Sequence, residues 1–490
     1  MSRLADPGLC VDGRGPRRFA WRCLVMLAAC CFVLLLPVGR GSCAPASGTP
    51  VASRAGPTLD ERSVRAWMEF LASDALRGRG SGTREEWITA VWAGAQMRGA
   101  GLEPVDGKDF LQTVDLERTE AAGQPQLSAA SMRLDPKAGF VVIDAGVPQA
   151  AGPLQRFHPG VVVRRGAVLL MPGEADPRNA SGLENAAMVL WHETGEIRKL
   201  WPSLAARPLT VGRTRLTGLA KPAIPAAPDA PVQIVLDDAA YAIIARLQES
   251  TVMTFRVPTR TVTSQTWNAV GQIRGTEPGQ AAQSILLSAH LDHLGEGGKG
   301  PDRIYNGADD DASGTVAVLS LAQSLARQPR PRRTLVFALF GSEEVGSLGA
   351  RYFLDRPTVP LSRLIANLEF EMIGRSDAAV APHTLWLTGW ERSDLGPALA
   401  AHGARLVADP HPKEHFFMRS DNYSLARRGV VAQTVSSFGL HAQYHEPDDD
   451  LAHIDIAHML EAIRSLLGPV RWLADSDYTP AWKPGGRPAR

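Results

Sequence analysis

Four apolar runs in the second half of the chain are continuous rather than alternating: residues 284–289, Thr334–Phe340, 364–368 and 430–435. Strands that are hydrophobic at nearly every position are buried on both faces, as inside a parallel or mixed sheet covered by helices. Between the first two runs, residues 312–327 carry Val316, Leu319, Leu321 and Leu325 at roughly helical spacing. Helices are also predicted over 64–73 and 85–97, the second with Trp87, Val91, Trp92 and Met97 as its larger apolar residues. A final amphipathic helix starts near Ile454 and turns Ile456, Leu460, Ile463, Leu466 and Leu467 inward. Gly468-Pro469 should end or kink it before Leu473. Strands alternating with helices predict an α/β fold with a mostly parallel or mixed central sheet flanked by helices.

The pattern changes over 118–262, where short strand-like runs (140–143, 166–171) are separated by many Pro and Ala residues. This reads as a small β-rich inserted domain, dividing the main domain into 63–117 and 263–474. Residues 47–62 read as a linker rich in Ala, Ser, Gly, Pro and Thr, and 475–490 as a poorly ordered tail. Arg17-Arg18, the apolar run 23–36 and Ala44-Pro45-Ala46 read as a signal peptide over 1–46, ending in an Ala-x-Ala cleavage site. That run is too short for a bilayer span of roughly 20 residues. Export to the periplasm or outside the cell is expected, with no stable membrane span in the mature chain. Lipid attachment at Cys43 is the alternative: Gly41 and Ser42 suit it, Arg40 does not.

Composition narrows the classes. A chain of 490 residues with 44% hydrophobic content has room for two or three domains. A net charge of +1 gives no electrostatic argument for nucleic acid or an anionic membrane. The densest basic stretch, 327–333, reads as a solvated connection before a strand. All five cysteines fall in the first 43 residues, so the rest of the chain has neither an internal disulfide nor a thiol nucleophile.

Five acidic and histidine motifs follow the apolar runs: Ser288-Ala289-His290-Leu291-Asp292, Gly307-Ala308-Asp309-Asp310-Asp311-Ala312-Ser313-Gly314, Gly341-Ser342-Glu343-Glu344, Glu369-Phe370-Glu371-Met372-Ile373-Gly374-Arg375 and Tyr444-His445-Glu446-Pro447. Each alone is weak, since a lone His-x-Asp is usually a solvated turn and a Glu-Glu pair usually a helix start. Together they lie at the carboxyl ends of predicted strands, where open α/β sheets bind ligands. Two imidazoles and three carboxylates can hold a pair of zinc ions with one bridging carboxylate. A spare carboxylate beside them supplies a general base, and the combination reads as metal-assisted hydrolysis.

In these motifs and their order, the chain from about Val64 to Leu473 resembles the zinc aminopeptidases of peptidase family M28. The upstream stretch from Glu69 to Thr83, with its Leu76-Arg77-Gly78-Arg79-Gly80, and Gly101-Leu102-Glu103-Pro104 fit as well. The resemblance implies a zinc exopeptidase-type fold with a protease-associated-like insert, two zinc ions per chain, and peptide substrates cleaved one N-terminal residue at a time. It implies that His290 and Glu371 hold one metal, Glu344 and His445 the other, and that Asp310 bridges them. Glu343 would act as the base, Asp292 would orient His290 through its other nitrogen, and Tyr444 or Arg375 would hold the substrate carbonyl. It also implies a cis peptide between Asp310 and Asp311. Many relatives have Asp at the position of Glu371, and Glu369 on the same strand face is a rival ligand. His293, His411, His415 and His441 read as surface or pocket residues, and Asn422 receives no role. Three alternatives stand beside this reading: a carboxypeptidase of the same fold, a single-zinc glutaminyl cyclase, and a non-catalytic binding protein. The preferred side chain and the oligomeric state are not legible.

Overall fold

The computed structural model describes residues 59–489 apart from 106, 130–131, 135, 137–138, 174–182, 196–197, 200, 202–208, 219–229 and 298–299. The expected signal peptide lies outside the described residues.

The main sheet contains Leu111–Ala121 (β1), Thr210–Leu216 (β2), Thr259–Ile273 (β3), Ser284–His290 (β4), Thr334–Phe340 (β5), Leu364–Phe370 (β6), Leu385–Leu387 (β7), Leu406–Ala408 (β8) and Val431–Ser436 (β9). Their order across the sheet is β8-β7-β9-β6-β4-β5-β3-β1-β2, with Glu103–Pro104 added beside β3. The central four, β9-β6-β4-β5, are mutually parallel, so their carboxyl ends lie along one edge. β3 pairs antiparallel with β5, and β1 with β3. Every residue of β4 and β5 is buried, as their unbroken apolar runs require.

Helices cover both faces. Glu61–Leu71 (α1), Arg84–Gly99 (α2), Gly314–Ala326 (α3) and Ile456–Asp475 (α6) pack over the core holding Leu287, Val316, Leu321, Phe337, Leu368 and Ile463. Leu348–Asp355 (α4) and Asp421–Arg427 (α5) close the other face through Phe353 and Leu425, against Leu286, Val336 and Phe340. Each such side chain contributes about 1.5–3 kcal/mol on full burial. The helix starts carry caps: Asp60 accepts from Arg62 N at 3.2 Å, and Thr83 from Glu86 N at 3.3 Å.

A second, eight-stranded sheet lies wholly within 126–256 and has its own core, including Leu127, Phe140, Leu154, Met188, Ile234 and Phe255. β1 and β3 form the long antiparallel stalk that leads to it. Within 118–262, however, β2 returns to pair with β1 at the edge of the main sheet.

Two expectations are corrected. Helix α6 runs through Pro469 to Asp475. An interior proline costs about 3 kcal/mol, but Val470, Leu473 and Ala474 beyond it are buried in the main core, and that burial carries the helix on. The tail is tied down rather than loose: Trp482 Nε1 donates to Gly429 O at 3.2 Å, Ala481 N to Asp394 Oδ1 at 2.7 Å, and Arg333 Nη1 to Tyr478 O at 2.7 Å. Among the described residues, no helix is long and apolar enough to cross a membrane.

Candidate active site

The acidic and histidine motifs gather along the carboxyl edge of β4, β5, β6 and β9. His290 ends β4, Glu343 and Glu344 follow β5, Glu371 follows β6, and Tyr444 and His445 lie in the loop after β9. The Asp triplet sits in the turn before α3, where the peptide between Asp310 and Asp311 is cis.

The three acids of that turn have different partners. Asp309 accepts Gly374 N at 2.7 Å and stands 3.0 Å from His441 Nε2. Asp311 accepts His290 N at 3.1 Å, Gly314 N at 3.0 Å and Met372 N at 3.2 Å, tying the strand end to the helix start. Asp310 faces His290 and His445: one carboxylate oxygen is 3.1 Å from His290 Nε2, the other 3.1 Å from His445 Nε2.

Two groups of ligand atoms converge on Asp310, each within 4.8 Å: His290, Asp310 and Glu371 in one, His293, Asp310 and Glu344 in the other. His445 Nε2 borders the second at 3.4 Å from Glu344. Several of these atoms are buried without a hydrogen bond among the described residues: Nε2 of His290, both ring nitrogens of His293, Oε1 of Glu344 and Nε2 of His445. Buried polar atoms are normally paired, and lone pairs turned toward a shared point are what a divalent cation takes up. The donor set of imidazole and carboxylate fits zinc.

His290 Nδ1 lies 3.1 Å from the main-chain oxygen of Asp292, so Nδ1 carries the proton and Nε2 is left to ligate. The Asp292 carboxylate, expected to perform this task, stands 3.7 Å from the same nitrogen and also accepts Glu343 N at 2.9 Å, Glu344 N at 3.4 Å and the Ser81 hydroxyl at 2.5 Å. Arg375 has partners in this turn. Its guanidinium donates to Asp449 at 2.8 Å and Gln443 at 3.0 Å, and Asp449 in turn accepts Asp309 N and Asp310 N, both at 3.1 Å. Arg375 thus braces the turn that carries Asp310.

Glu369, the rival ligand, is saturated. It accepts Ser420 Oγ, Asp421 N, Asn422 N and Thr434 Oγ1 within 3.1 Å and fixes the start of α5. Asn422 donates its side-chain amide to Phe417 O at 3.2 Å. His293, read from sequence as a surface or pocket residue, is fully buried with Nδ1 2.7 Å from Glu344. The run His290-Leu291-Asp292-His293 was the available signal. Beneath the site, buried Arg79 donates to the carbonyls of Leu71, Leu291, Asn306 and Gly307.

Without metal, the electrostatics are strained. Burial, then repulsion from neighbouring acids, lifts Glu371 and Glu344 to about 8 and holds Glu343 well above the usual carboxylate range. Burial also opposes charge on Asp310 and His290, but their mutual attraction, with His445 and Asp292, drives Asp310 well below and His290 well above its ordinary value. Burial lowers His293 to about 4, so it is neutral.

Beside Glu371 opens a cleft walled by Met372, Trp386, Phe416, Phe438 and Tyr444, with Arg419 at its rim. Tyr444 stacks on His445 at 3.9 Å between ring centroids, joining cleft and metal-ligand cluster. Two of the polar wall groups are occupied: Trp386 Nε1 donates to Asp377 at 3.0 Å and Thr434 Oγ1 to Glu369 at 2.8 Å.

Residues 268–467 match the model of Peptidase family M28. Among curated proteins the chain is similar to the probable lipoprotein aminopeptidase LpqL of Mycobacterium tuberculosis, 32% identical over 23% of this chain and 21% of that one. It is also similar to a probable leucine aminopeptidase of Arthroderma benhamiae, 26% identical over 40% of this chain and 55% of that one. The chain spans about a tenth to about half of the length of the curated relatives it matches. The aminopeptidase from Aneurinibacillus sp. strain AM-1 shares the fold, with a TM-score of 0.54 at 18% identity over 88% of this chain and 98% of that one.

Proposed function

We propose that the protein is a zinc-dependent aminopeptidase that removes single N-terminal residues from peptides after export from the cytoplasm. The observation that carries this reading is Asp310, whose two oxygens each stand 3.1 Å from a different imidazole. His290, Asp310 and Glu371 would hold one zinc ion, and Asp310, Glu344 and His445 the other, with His293 beside Glu344 as a further imidazole. Two zinc ions in such a site lower the pKa of a shared water and polarise the scissile carbonyl.

The chain's own residues do the rest. Glu343, half-buried and held above the usual carboxylate range, is suited to accept a proton from the attacking water and return it to the departing amine. Acid-rich surroundings at Glu371 favour a free α-ammonium group. The cleft beside it offers apolar, aromatic walls at Met372, Trp386, Phe416 and Phe438, which suit an apolar N-terminal side chain. Tyr444 stands between cleft and ligands, where its hydroxyl can reach the substrate carbonyl. The sheet within 126–256, protease-associated-like in position, would restrict access to the site. The leucine aminopeptidase and lipoprotein aminopeptidase relatives support the substrate class and the export.

The test is a panel of aminoacyl-anilides assayed with chelator and after zinc return, with metal counted per chain. Cleavage of free-amine substrates that is lost on chelation and restored by zinc is expected. Cleavage of amino-blocked but not carboxyl-blocked dipeptides would favour the carboxypeptidase, and full activity with one zinc would reject the two-metal reading and promote the cyclase.

A further inference from the structure

Four successive main-chain N–H groups after β5 donate to buried side chains rather than to carbonyls. Gly341 N donates to Asn268 Oδ1 at 3.1 Å and Ser342 N to Glu86 Oε1 at 2.8 Å; Glu343 N donates to Asp292 Oδ1 at 2.9 Å, with Glu344 N 3.4 Å from Asp292 Oδ2. Ser342 has φ +54°, a left-handed conformation that non-glycine residues seldom adopt without external support. The conformation of the turn carrying Glu343 is therefore imposed by side chains from elsewhere in the chain.

Glu86 comes from the first turn of α2, 256 positions from Ser342 and outside the segment matched by the family model. It is fully buried. One oxygen accepts Gly82 N at 2.7 Å, which a helix-start acid does for its own turn. The other oxygen has no local duty: it accepts Thr266 Oγ1 at 2.6 Å, Ser342 N at 2.8 Å and Ser342 Oγ at 3.3 Å. The approach is close enough to need a glycine beside it, since a Cβ on Gly341 would lie 2.3 Å from Thr266 Oγ1 and 2.7 Å from Glu86 Oε1.

We propose that Glu86 is a positioning residue for the reaction: by binding the N–H of Ser342, it sets where the adjacent Glu343 presents its carboxylate. This rests on the assignment of Glu343 as the base. Misplacement of a reacting group by about 1 Å can cost on the order of 10²-fold in rate.

The test compares Glu86→Met, unbranched and without an acceptor, with Glu86→Gln, whose amide oxygen can still accept from Ser342 N. Glu86→Met is expected to lose about 10- to 100-fold in kcat per bound zinc, with KM and zinc content unchanged and a larger solvent deuterium isotope effect. Glu86→Gln is expected to stay within about threefold of the parent, since it keeps that hydrogen bond. If Glu86→Met does not fold, Thr266→Val decides, because it removes only the hydroxyl that anchors the same oxygen; a kcat loss of about threefold or more at unchanged zinc is expected. Parent-like kcat in the folded Met variant, equal losses in Met and Gln variants, or losses that follow zinc content overturn the proposal. An inactive parent enzyme overturns the aminopeptidase reading and this role with it, whereas an active parent with an unaffected Met variant overturns only the role.

Discussion

Asp292 accepts the main-chain N–H of Glu343 at 2.9 Å. The same carboxylate takes the Ser81 hydroxyl and faces the N–H of Glu344, so one buried acid locates two neighbouring glutamates assigned opposite tasks. Replacing it by alanine should therefore impair base and metal ligand together. Asp292→Ala is expected to lose about 10- to 100-fold in turnover and to bind zinc more weakly, as loss of a group supporting metal ligands typically does. Zinc titration alongside kcat measures both, and a variant with parental zinc affinity and turnover would show that the turn holds its shape without this carboxylate.

Glu343 and Glu344 should separate cleanly. Glu343→Gln removes a base and no ligand, so zinc content stays while turnover drops by about 10²–10⁴. Glu344→Gln removes a ligand atom from the second group, so zinc is lost first and activity with it. Metal analysis of the two purified variants distinguishes them. A zinc-free Glu343 variant beside a zinc-replete Glu344 variant would reverse the assignment.

The acids also give the metal-free chain a pH dependence. Glu344 and Glu371 shift from 4.5 to about 8 in the folded chain, burial being the main cause. The folded state thus holds protons that the unfolded state releases, and stability falls as pH rises from about 4.5 through about 8. Zinc binding replaces those protons and removes the penalty, so its stabilising effect should grow over the same window. Thermal unfolding with chelator and with zinc between pH 5 and pH 8.5 should show Tm curves that diverge as pH rises; parallel curves would contradict this origin.

Residue pattern made some of this architecture legible and left other parts hidden. β4 and β5 were readable because burial on both faces demands an unbroken apolar run, and the candidate ligands were readable because they stand where those runs stop. The main-chain partners of Asp292 were not, since a carboxylate bound to main-chain N–H groups imposes no residue type on its partners. Glu86 was hidden for the same reason and by its distance along the chain. The full burial of His293 was not legible, because a histidine beside a motif has no burial signature until the fold encloses it. Pro469 shows the opposite failure: a strong local rule gave way to apolar burial on either side of it.

Arg419 offers a last test, of specificity. Its guanidinium lies 5.0 Å over the Phe416 ring and 5.8 Å from the Tyr444 centroid, exposed at the rim of the cleft and without a carboxylate partner among the described residues. An apolar side chain entering the cleft passes this cation without penalty, whereas a lysine or arginine side chain brings a like charge against it. At about 4 Å such a pair costs about 1 kcal/mol in water-like surroundings and more as the cleft fills. Arg419→Glu is therefore expected to raise kcat/KM for lysyl-anilide relative to leucyl-anilide by roughly five- to tenfold or more. The gain should shrink with added salt, because exposed charges are screened over about 10 Å at 0.1 M ionic strength. An unchanged lysyl-to-leucyl ratio would mean that the substrate side chain occupies another part of the cleft.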